Sequence, residues 1–488
     1  MKNDLYLVRV SGEIAIKSRP VRKEMENLVK KHIIEALKRN NMKLKRIDWE
    51  PGRIFVEAPR GAENILCKVF GVSSISPAKR YKFKSLEELA NIAENLYKRD
   101  VQNKKFAIRC RRIGNHPFTS LDVAKVVGAK LKPYSKGVDL SNPDIEIFIE
   151  IRGWNAYFFT ERIDGPGGLP IGSSGYVLSL FSGGFDSPVA AWYIMKRGCK
   201  VDFLHIVMGS WESAYRAFIV AKNLYNNWCF GYNPKFIVLN FGSVIAKIRS
   251  SMRERYWQVA LRRAMYIAAD IIAGTRDYDA IVTGESLGQA SSQTVWNLAV
   301  CEKGISTLIL RPLLGMDKEE IIRLSRKIGI YEESSKVTEY CAIAMGIAAT
   351  RVNESLFLEE FEKSGVKEAI EESVKEMLEF DMRKTSTIEL LPRETLEIDF
   401  IPDNAIVIDM RSDSEKEKAP LPHTIDLSSI KEEDLKGKTI VVICDHGDVS
   451  LTLAQLLREK NVYAYSLKGG ASRAREISHK ICKFRPSQ

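Results

Sequence analysis

The chain has 488 residues, 45% of them hydrophobic, enough for three or four separately cored domains. Lys and Arg outnumber Asp and Glu by 74 to 62, and the excess lies at one end: residues 1–166 hold 33 basic against 20 acidic residues, the remainder 41 against 42. No apolar run approaches a membrane span, the start MKNDLYLVRV reads as a strand rather than a leader, and the eight cysteines form no C-x-x-C pair. This argues against a membrane protein, a secreted disulfide framework and a zinc ribbon, and predicts a cytoplasmic chain.

In chain order, Leu5–Val10 and Arg53–Glu57 read as strands around a helix over Val21–Arg39. A second unit runs from about 77 to 166, with strands at Lys105–Arg109 and Asp144–Ile151 and a helix after Ser120-Leu121-Asp122. Here Lys79, Arg80, Lys82 and Lys84, and then Arg109, Arg111 and Arg112, interleave with aromatic or apolar positions, as expected of a surface that meets a polyanion. The plainer alternative is a solvated basic surface. GPGGLPIGSSG at 165–175 marks a boundary. Beyond it, strands at Tyr176–Phe181, Val201–Val207, Lys235–Asn240, Ala280–Thr283 and Thr307–Arg311 alternate with helices, a long one over Met252–Ala273 among them. Such alternation predicts a doubly wound parallel sheet with its ligands at the carboxyl ends of the strands. Residues 354–399 read as a helix and a charged connector, and a last small unit begins near 401.

The strand Tyr176–Phe181 runs into SGGFDSP and then a helix with proline in its first turn. Gly183 and Gly184 let backbone N–H groups face an oxyanion at a helix N-terminus, which makes a phosphate cradle. No Gly-Lys-Ser/Thr follows, so it is not the Walker type. Asp186, acceptor-only when ionised, suits Mg²⁺ between phosphates. Cys444 stands between the strand-like IVVI and a helix-like run, with Asp445 and Asp448 close by, acids that should raise its pKa.

SGGFDSP resembles the pyrophosphatase loop of the N-type ATP pyrophosphatases. Together with TGESLGQASSQT (283–294), LRPLLGMDKEEII (310–322) and TEYCAIA (338–344), it resembles the tRNA 4-thiouridine synthetases, the ThiI proteins. RCRRIGNHPFTSLDV (109–123) and VDLSNPDIEIFIEI (138–151) are similar to a THUMP domain; IVIDMRSDSE (406–415), IVVICDHGDVSLTLAQLL (440–457) and KGGAS (468–472) are similar to a rhodanese-like domain. The resemblance implies a multidomain α/β and α+β chain: a ferredoxin-like domain at 1–76, a tRNA-binding THUMP domain at 77–166, a PP-loop ATP pyrophosphatase domain at 170–390, a linker at 391–400 and a rhodanese-like domain at 401–488.

It further implies ATP-dependent formation of 4-thiouridine at tRNA uridine 8, by adenylation of the uracil carbonyl and attack of persulfide-derived sulfur. Leu180, Phe181, Ser182, Gly183, Gly184, Asp186, Ser187, His205, Ile206, Arg262, Gly284 and Gln293 then hold ATP, Asp186 holds Mg²⁺, and Lys318 supplies a cation near the developing phosphate charge. Cys444 carries sulfur from a cysteine desulfurase, and Cys341 resolves the persulfide as a Cys341–Cys444 disulfide. The other cysteines, Cys67, Cys110, Cys199, Cys229, Cys301 and Cys482, read as structural. The resemblance also allows a homodimer and a second role as sulfur donor for the thiazole of thiamine. Two other classes fit parts of the sequence: an ATP-dependent amide or amidine ligase, which has no use for a sulfur carrier, and a non-catalytic tRNA-binding protein whose ATP site regulates affinity.

Overall fold

The computed structural model describes residues 3–290, 292–337, 349–391, 395–426, 435, 437–445 and 448–481. They form two compact units: Met1–Tyr176 with Trp192–Lys200 and Tyr225–Asn233, and Val177–Ala191 with Val201–Leu224 and Pro234–Gln488. Among the described residues no helix is long and apolar enough to cross a membrane.

The first unit holds β1 (Asn3–Val10), β2 (Arg46–Glu50), β3 (Arg53–Pro59), β4 (Val72–Lys82), β5 (Lys105–Ile113), β6 (Gly137–Val138), β7 (Ile145–Arg152), β8 (Asn155–Phe159) and β9 (Ile163–Asp164). They make one nine-stranded sheet in the order β2-β3-β1-β4-β8-β7-β5-β6, with β9 beside β4. The two N-terminal segments thus share a sheet, because β4 pairs with β1 up to Ala78 and with β8 from Lys79 onward. On one face, Val29, Ile33 and Leu37 of the helix Arg19–Arg39 pack against Tyr6, Val8, Ile54 and Val56. The helices Leu86–Tyr97 and Ser120–Leu131 cover Phe106, Ile147, Ile149 and Phe158 on the same side; the second is started by a Thr119–Asp122 capping box. The opposite face gathers Leu7, Phe55, Ala78, Tyr157 and Phe159 into its own core. Phe55 of β3 stacks on Tyr157 of β8 at 4.7 Å, and Arg53 reaches Glu150 of β7 at 2.9 Å. Three strands separate β3 from β7, and in a flat sheet they would stand roughly 19 Å apart. The sheet is therefore curled onto itself.

The second unit holds β10 (Tyr176–Leu180), β11 (Lys200–Val207), β12 (Lys235–Asn240), β13 (Ala280–Val282), β14 (Leu308–Leu310) and β15 (Leu378–Asp381), in the order β14-β13-β10-β11-β12-β15. Pairing is parallel from β14 to β10 and between β11 and β12, and antiparallel at the β12–β15 edge. The stretch expected to be a helix and a connector is more than that. Two helices, Glu354–Lys363 and Val366–Lys375, bury Phe357, Phe361, Val366 and Ile370 before β15 closes the sheet. The long helix also starts later, at Trp257, after a 3₁₀ turn over Glu254–Tyr256.

A third, all-parallel sheet runs β16 (Glu397–Ile398), β19 (Tyr463–Leu467), β18 (Thr439–Ile443), β17 (Ile406–Asp409). The stretch 391–400, expected as a linker, contributes β16 and buries Leu391, Ile398 and Phe400. The same core takes in Tyr215 and Ile219 from the helix Glu212–Trp228. Around it Arg216 pairs with Asp403 (2.6 Å) and Glu212 (3.4 Å), Lys480 pairs with Glu212 (2.6 Å), and the Trp211 indole donates to the Leu390 carbonyl (2.5 Å). The terminal sheet is docked on this helix.

Candidate active site

The loop after β10 is shaped by hydroxyls and by two close approaches. Ser187 Oγ accepts from the backbone N–H of Ser182 (3.0 Å) and Gly183 (3.3 Å) and lies 3.1 Å from Ser182 Oγ, which accepts from Gly184 N (3.3 Å). Gly183 has φ +85°, and a Cβ there would stand 2.7 Å from Ala217 Cα. A Cβ on Gly284 would stand 2.7 Å from Ser187 N, so the end of β13 can press against the loop only as glycine. The helix Asp186–Lys196 begins at the loop and aims its positive end into it.

Asp186, the first residue of that helix, meets Lys318 across the site, with Nζ 2.9 Å from both carboxylate oxygens. Gln289 Nε2 donates to Asp186 Oδ2 at 3.0 Å. Lys318 opens its own helix, Lys318–Ile328, whose start is fixed by an Asp317–Glu320 capping box, so the ammonium is presented from a rigid turn. Among the described residues no group of three or more His, Cys, Asp or Glu could hold a metal by itself. One carboxylate beside a phosphate loop suits Mg²⁺, which takes most of its ligands from phosphates and water.

A cavity of about 280 Å³ opens beside the loop. Of the predicted nucleotide residues, Leu180, Phe181, Ser182, Asp186, Ser187, His205, Ile206, Arg262, Gly284 and Gln293 line it, while Gly183 and Gly184 belong to the loop behind. The buried His205 donates from Nδ1 to the Phe181 carbonyl at 2.9 Å, with Nε2 3.1 Å from Ser213 Oγ. Burial lowers its pKa to about 4, only partly opposed by that carbonyl, so the ring is neutral at physiological pH.

Nothing in the sequence announces the polar floor. Buried Glu285 pairs with Arg262 and with Arg311 Nε (2.9 Å) and accepts from Tyr266 OH (2.5 Å) and Thr283 Oγ1 (2.8 Å). Burial would raise the Glu285 carboxyl, but Arg262, Tyr266 and Arg311 outweigh it and hold the pKa below the usual range. Burial also opposes the charge of Arg262, which Glu285 more than restores. The nearest thing to a signal for this network is the run of polar residues TGES at a strand end, where any of them could have faced water.

The predicted RNA patches do not make one surface. Lys79, Arg80, Lys82, Lys84, Arg109 and Arg111 are exposed and Arg112 is half-buried, but side chains alternate along a strand. Register puts Arg80 and Arg111 on the curled face with Tyr157 and Glu150, and Lys79 on the face of Phe158. Arg109 pairs with Glu146 (2.7 Å), and Arg80 stands 3.6 Å from Glu57.

Cys444 follows β18 directly and is 5% exposed, its Sγ 3.1 Å from Ser450 Oγ, which lies 2.7 Å from Ser466 Oγ. A Cβ on Gly470 would stand 2.2 Å from the Cys444 carbonyl. Nearby, Arg411, just past the end of β17, forms a buried pair with Asp409 (2.7 Å) and also feels the charge of Asp445. Cys341, His446 and Cys482 lie outside the described residues. At the flanks of the Cys341 segment, Val337 lines the cavity, Thr294 Oγ1 donates to the Thr350 carbonyl (2.8 Å), and Asn297 Nδ2 donates to the Ala349 carbonyl (2.9 Å). Burial raises the thiols of Cys67, Cys110 (to about 11) and Cys301 (to about 12), which suits structural cysteines.

Three family models match the chain: thiamine biosynthesis protein (ThiI) at residues 172–363, the THUMP domain at 83–161 and the ThiI ferredoxin-like domain at 5–76. The tRNA sulfurtransferase of Desulfurococcus amylolyticus is 46% identical over 473 residues, covering 96% of this chain and 98% of its own. That of Pyrobaculum aerophilum is 39% identical, covering 95% and 96%. A probable tRNA sulfurtransferase of Sulfurisphaera tokodaii is 43% identical but covers 70% of this chain and 90% of its own. Among solved structures, a 4-thiouridine synthetase in complex with RNA and ATP is 27% identical with a TM-score of 0.67, covering 78% of this chain and all of its own. With whole-chain identity of this order joined to a phosphate loop, the Asp186–Lys318 pair and the adjoining cavity, the chain belongs to the ThiI family of tRNA sulfurtransferases.

Proposed function

We propose that the chain uses ATP to make 4-thiouridine at uridine 8 of tRNA. The observation that carries this reading is the convergence of the loop Ser182–Ser187 and the Asp186–Lys318 pair on one nucleotide-sized cavity. ATP and RNA are the ligands of the solved relative. In this chain the loop N–H groups and helix start would cradle the phosphates, and the cavity past Phe181 and His205 would take the nucleoside. Mg²⁺, held by Asp186, would offset phosphate repulsion as pyrophosphate leaves. Lys318 would release Asp186 to the metal and turn its charge to the phosphate under attack, which is stabilisation at the place where charge develops. The uracil O4 attacks the α-phosphorus, pyrophosphate departs, and the poor carbonyl leaving group becomes AMP.

Sulfur would arrive on the rhodanese-like terminal region, domain 401–488 together with β16, as a persulfide on Cys444 loaded by a cysteine desulfurase. The terminal persulfide sulfur attacks C4. A Cys341 thiolate then attacks Cys444 Sγ, breaking the S–S bond so that the outer sulfur stays on C4 and AMP leaves. The Cys341–Cys444 disulfide that forms carries the two-electron oxidation and must be reduced before the next cycle. The basic N-terminal segments, ferredoxin-like 1–76 and THUMP 77–166, would hold the tRNA. The test is pyrophosphate release that depends on added tRNA, then mass spectrometry of its nucleosides. Release without any need for tRNA, or tRNA that gains no sulfur in the presence of a desulfurase and cysteine, overturns the reading. Provision of sulfur for the thiazole of thiamine would need Cys444 but not the cavity.

A further inference from the structure

The curled face of the nine-stranded sheet holds positive charge that the fold leaves uncompensated. Arg111 on β5 sits opposite Glu150 on β7, and Glu150 sits opposite Tyr157 on β8. Arg9, Arg53 and Arg152 are buried. Glu150 is already saturated: it accepts from Arg53 Nε (3.1 Å) and Nη2 (3.0 Å) and from Arg152 Nε (2.8 Å), and Arg152 also reaches Glu50 at 3.1 Å.

Arg9 finds only hydroxyls. It is 6% exposed, and Nη1 donates to Ser76 Oγ (3.0 Å) and Ser74 Oγ (3.4 Å), while Nε and Nη2 are buried with no partner. Those two atoms are one edge of the guanidinium fork, the edge that grips an oxyanion through two parallel bonds. Arg9 lies over the Phe159 ring at 4.9 Å; Phe159 stacks on Phe148 at 5.2 Å; exposed Arg162 lies over Phe148 at 5.8 Å. Two guanidiniums thus share one aromatic stack, and among the described residues neither pairs with a carboxylate. Burial, then repulsion from Arg162 and Arg53, lower the Arg9 pKa to about 9. Such a like-charge arrangement gains when an anion enters it.

We propose that Arg9, Arg111 and Arg162 form a seat for one phosphate group of the tRNA backbone, with Arg9 as its floor and the other two at its mouth. The inference rests on the reading of the chain as a tRNA-modifying enzyme and adds to it a site that straddles both halves of the curled sheet. A polymer phosphate fits better than a free ion, because exposed Lys82, with Arg80 and Arg109 beside their Glu57 and Glu146 partners, gives the same face further donors along which a backbone could run.

The test is tRNA binding by the full-length chain across a salt series, for the wild type, Arg162→Ala, Arg111→Ala, the pair together, and Arg9→Met. Each exposed single variant should weaken binding about five- to tenfold and lower the slope of log K against log salt by about 1, the loss of one phosphate contact. The double variant should lose no more slope than a single one, since all three arginines share one phosphate. Slopes unchanged in both exposed single variants, or slope losses that add in the double, overturn the proposal without involving the fold of Arg9→Met. Inorganic phosphate serves as the probe for a free ion: if it raises the melting temperature of the wild type but not of Arg162→Ala while the tRNA slopes are unchanged, the seat belongs to a free anion and the RNA assignment falls. If the wild type itself binds no tRNA, it is the proposed function that fails.

Discussion

After β10 and after β18 the chain runs in the same order: a buried parallel strand, a short connection, then a helix whose first residue is an aspartate, Asp186 in one and Asp448 in the other. In each, a distant glycine presses on the turn, Gly284 against Ser187 N and Gly470 against the Cys444 carbonyl. The two differ in the residues that form the turn. After β10 come Gly183 and Gly184, which have no side chains and leave N–H groups to a visitor's oxygens. After β18 comes Cys444, whose sulfur occupies the turn and is backed by the hydroxyls of Ser450 and Ser466. In the proposed function the glycine-built connection would receive a diffusing anion, and the cysteine-built one would carry an anion of its own.

Removing the key side chain of each turn breaks the likeness most directly. Asp186→Ala should cut tRNA-dependent pyrophosphate release on the order of a thousandfold while tRNA binding stays near wild type, since the change lies in the proposed metal and phosphate cradle alone. Cys444→Ala should do the converse, keeping pyrophosphate release within about twofold while losing transfer of ³⁵S from a cysteine desulfurase to tRNA. Loss of pyrophosphate release in Cys444→Ala to match its loss of sulfur transfer, or loss of ³⁵S loading onto Cys444 itself in Asp186→Ala, would show that the two turns do not act separately.

The glycines test whether both turns need the same closeness. Gly284→Ala and Gly470→Ala each force a methyl against backbone and should cost roughly 1–3 kcal/mol of stability. The first should also depress pyrophosphate release and the second sulfur loading. Gly470 has the added strain of φ +52°, so its melting temperature should fall further.

Acid should separate the turns next. His205, behind the first, has its pKa lowered from 6.5 to about 4 by burial, so the unfolded chain binds the proton more readily. Its contribution is whole above pH 6.5 and is lost as pH falls toward 4, an effect of at most roughly 3 kcal/mol. Protection against hydrogen exchange, corrected for the intrinsic slowing of amide exchange in acid, should fall at 181–187 between pH 6.5 and 4.5 more than at 440–444, and His205→Gln should flatten that dependence. Buried His32 is lowered to about 4 for the same reason, so a global melting curve would mix the two and the local readout is the one that decides.

The smallest expected effect is at Ser450. Its hydroxyl lies 3.1 Å from Cys444 Sγ, so Ser450→Ala should slow sulfur loading about five- to tenfold, the net worth of one ordinary hydrogen bond. Ser450→Thr, which keeps the hydroxyl, should recover most of it.

The loop and its strands were legible because their signals are local. Lys235–Asn240 is strand to the residue, and SGGFDSP announces its turn by glycine content alone. The curl of the first sheet was not legible, since it rests on Arg53 meeting Glu150 nearly a hundred positions away. Nor was the fate of Arg9: in LYLVRV it looks like one more outward residue of an alternating strand. Residues 354–381 misled by charge, because Phe357, Phe361, Val366 and Ile370 are diluted by acidic neighbours that face outward. Glu285 was hidden for the opposite reason, since a buried carboxylate is recognisable only by the arginines that converge on it, and Arg262 and Arg311 lie 23 and 26 positions away.

Tyr215 and Ile219 give the helix Glu212–Trp228 an apolar side that the terminal sheet covers. A chain trimmed before that sheet would turn this side to water. The ionic partners would hydrate readily once freed, but the aromatic ring and the isoleucine would not, and shortened forms would be prone to self-association. Solubility of such a truncated enzyme therefore depends on recolouring two positions on one helix, with polar residues at 215 and 219, rather than on anything in the loop after β10.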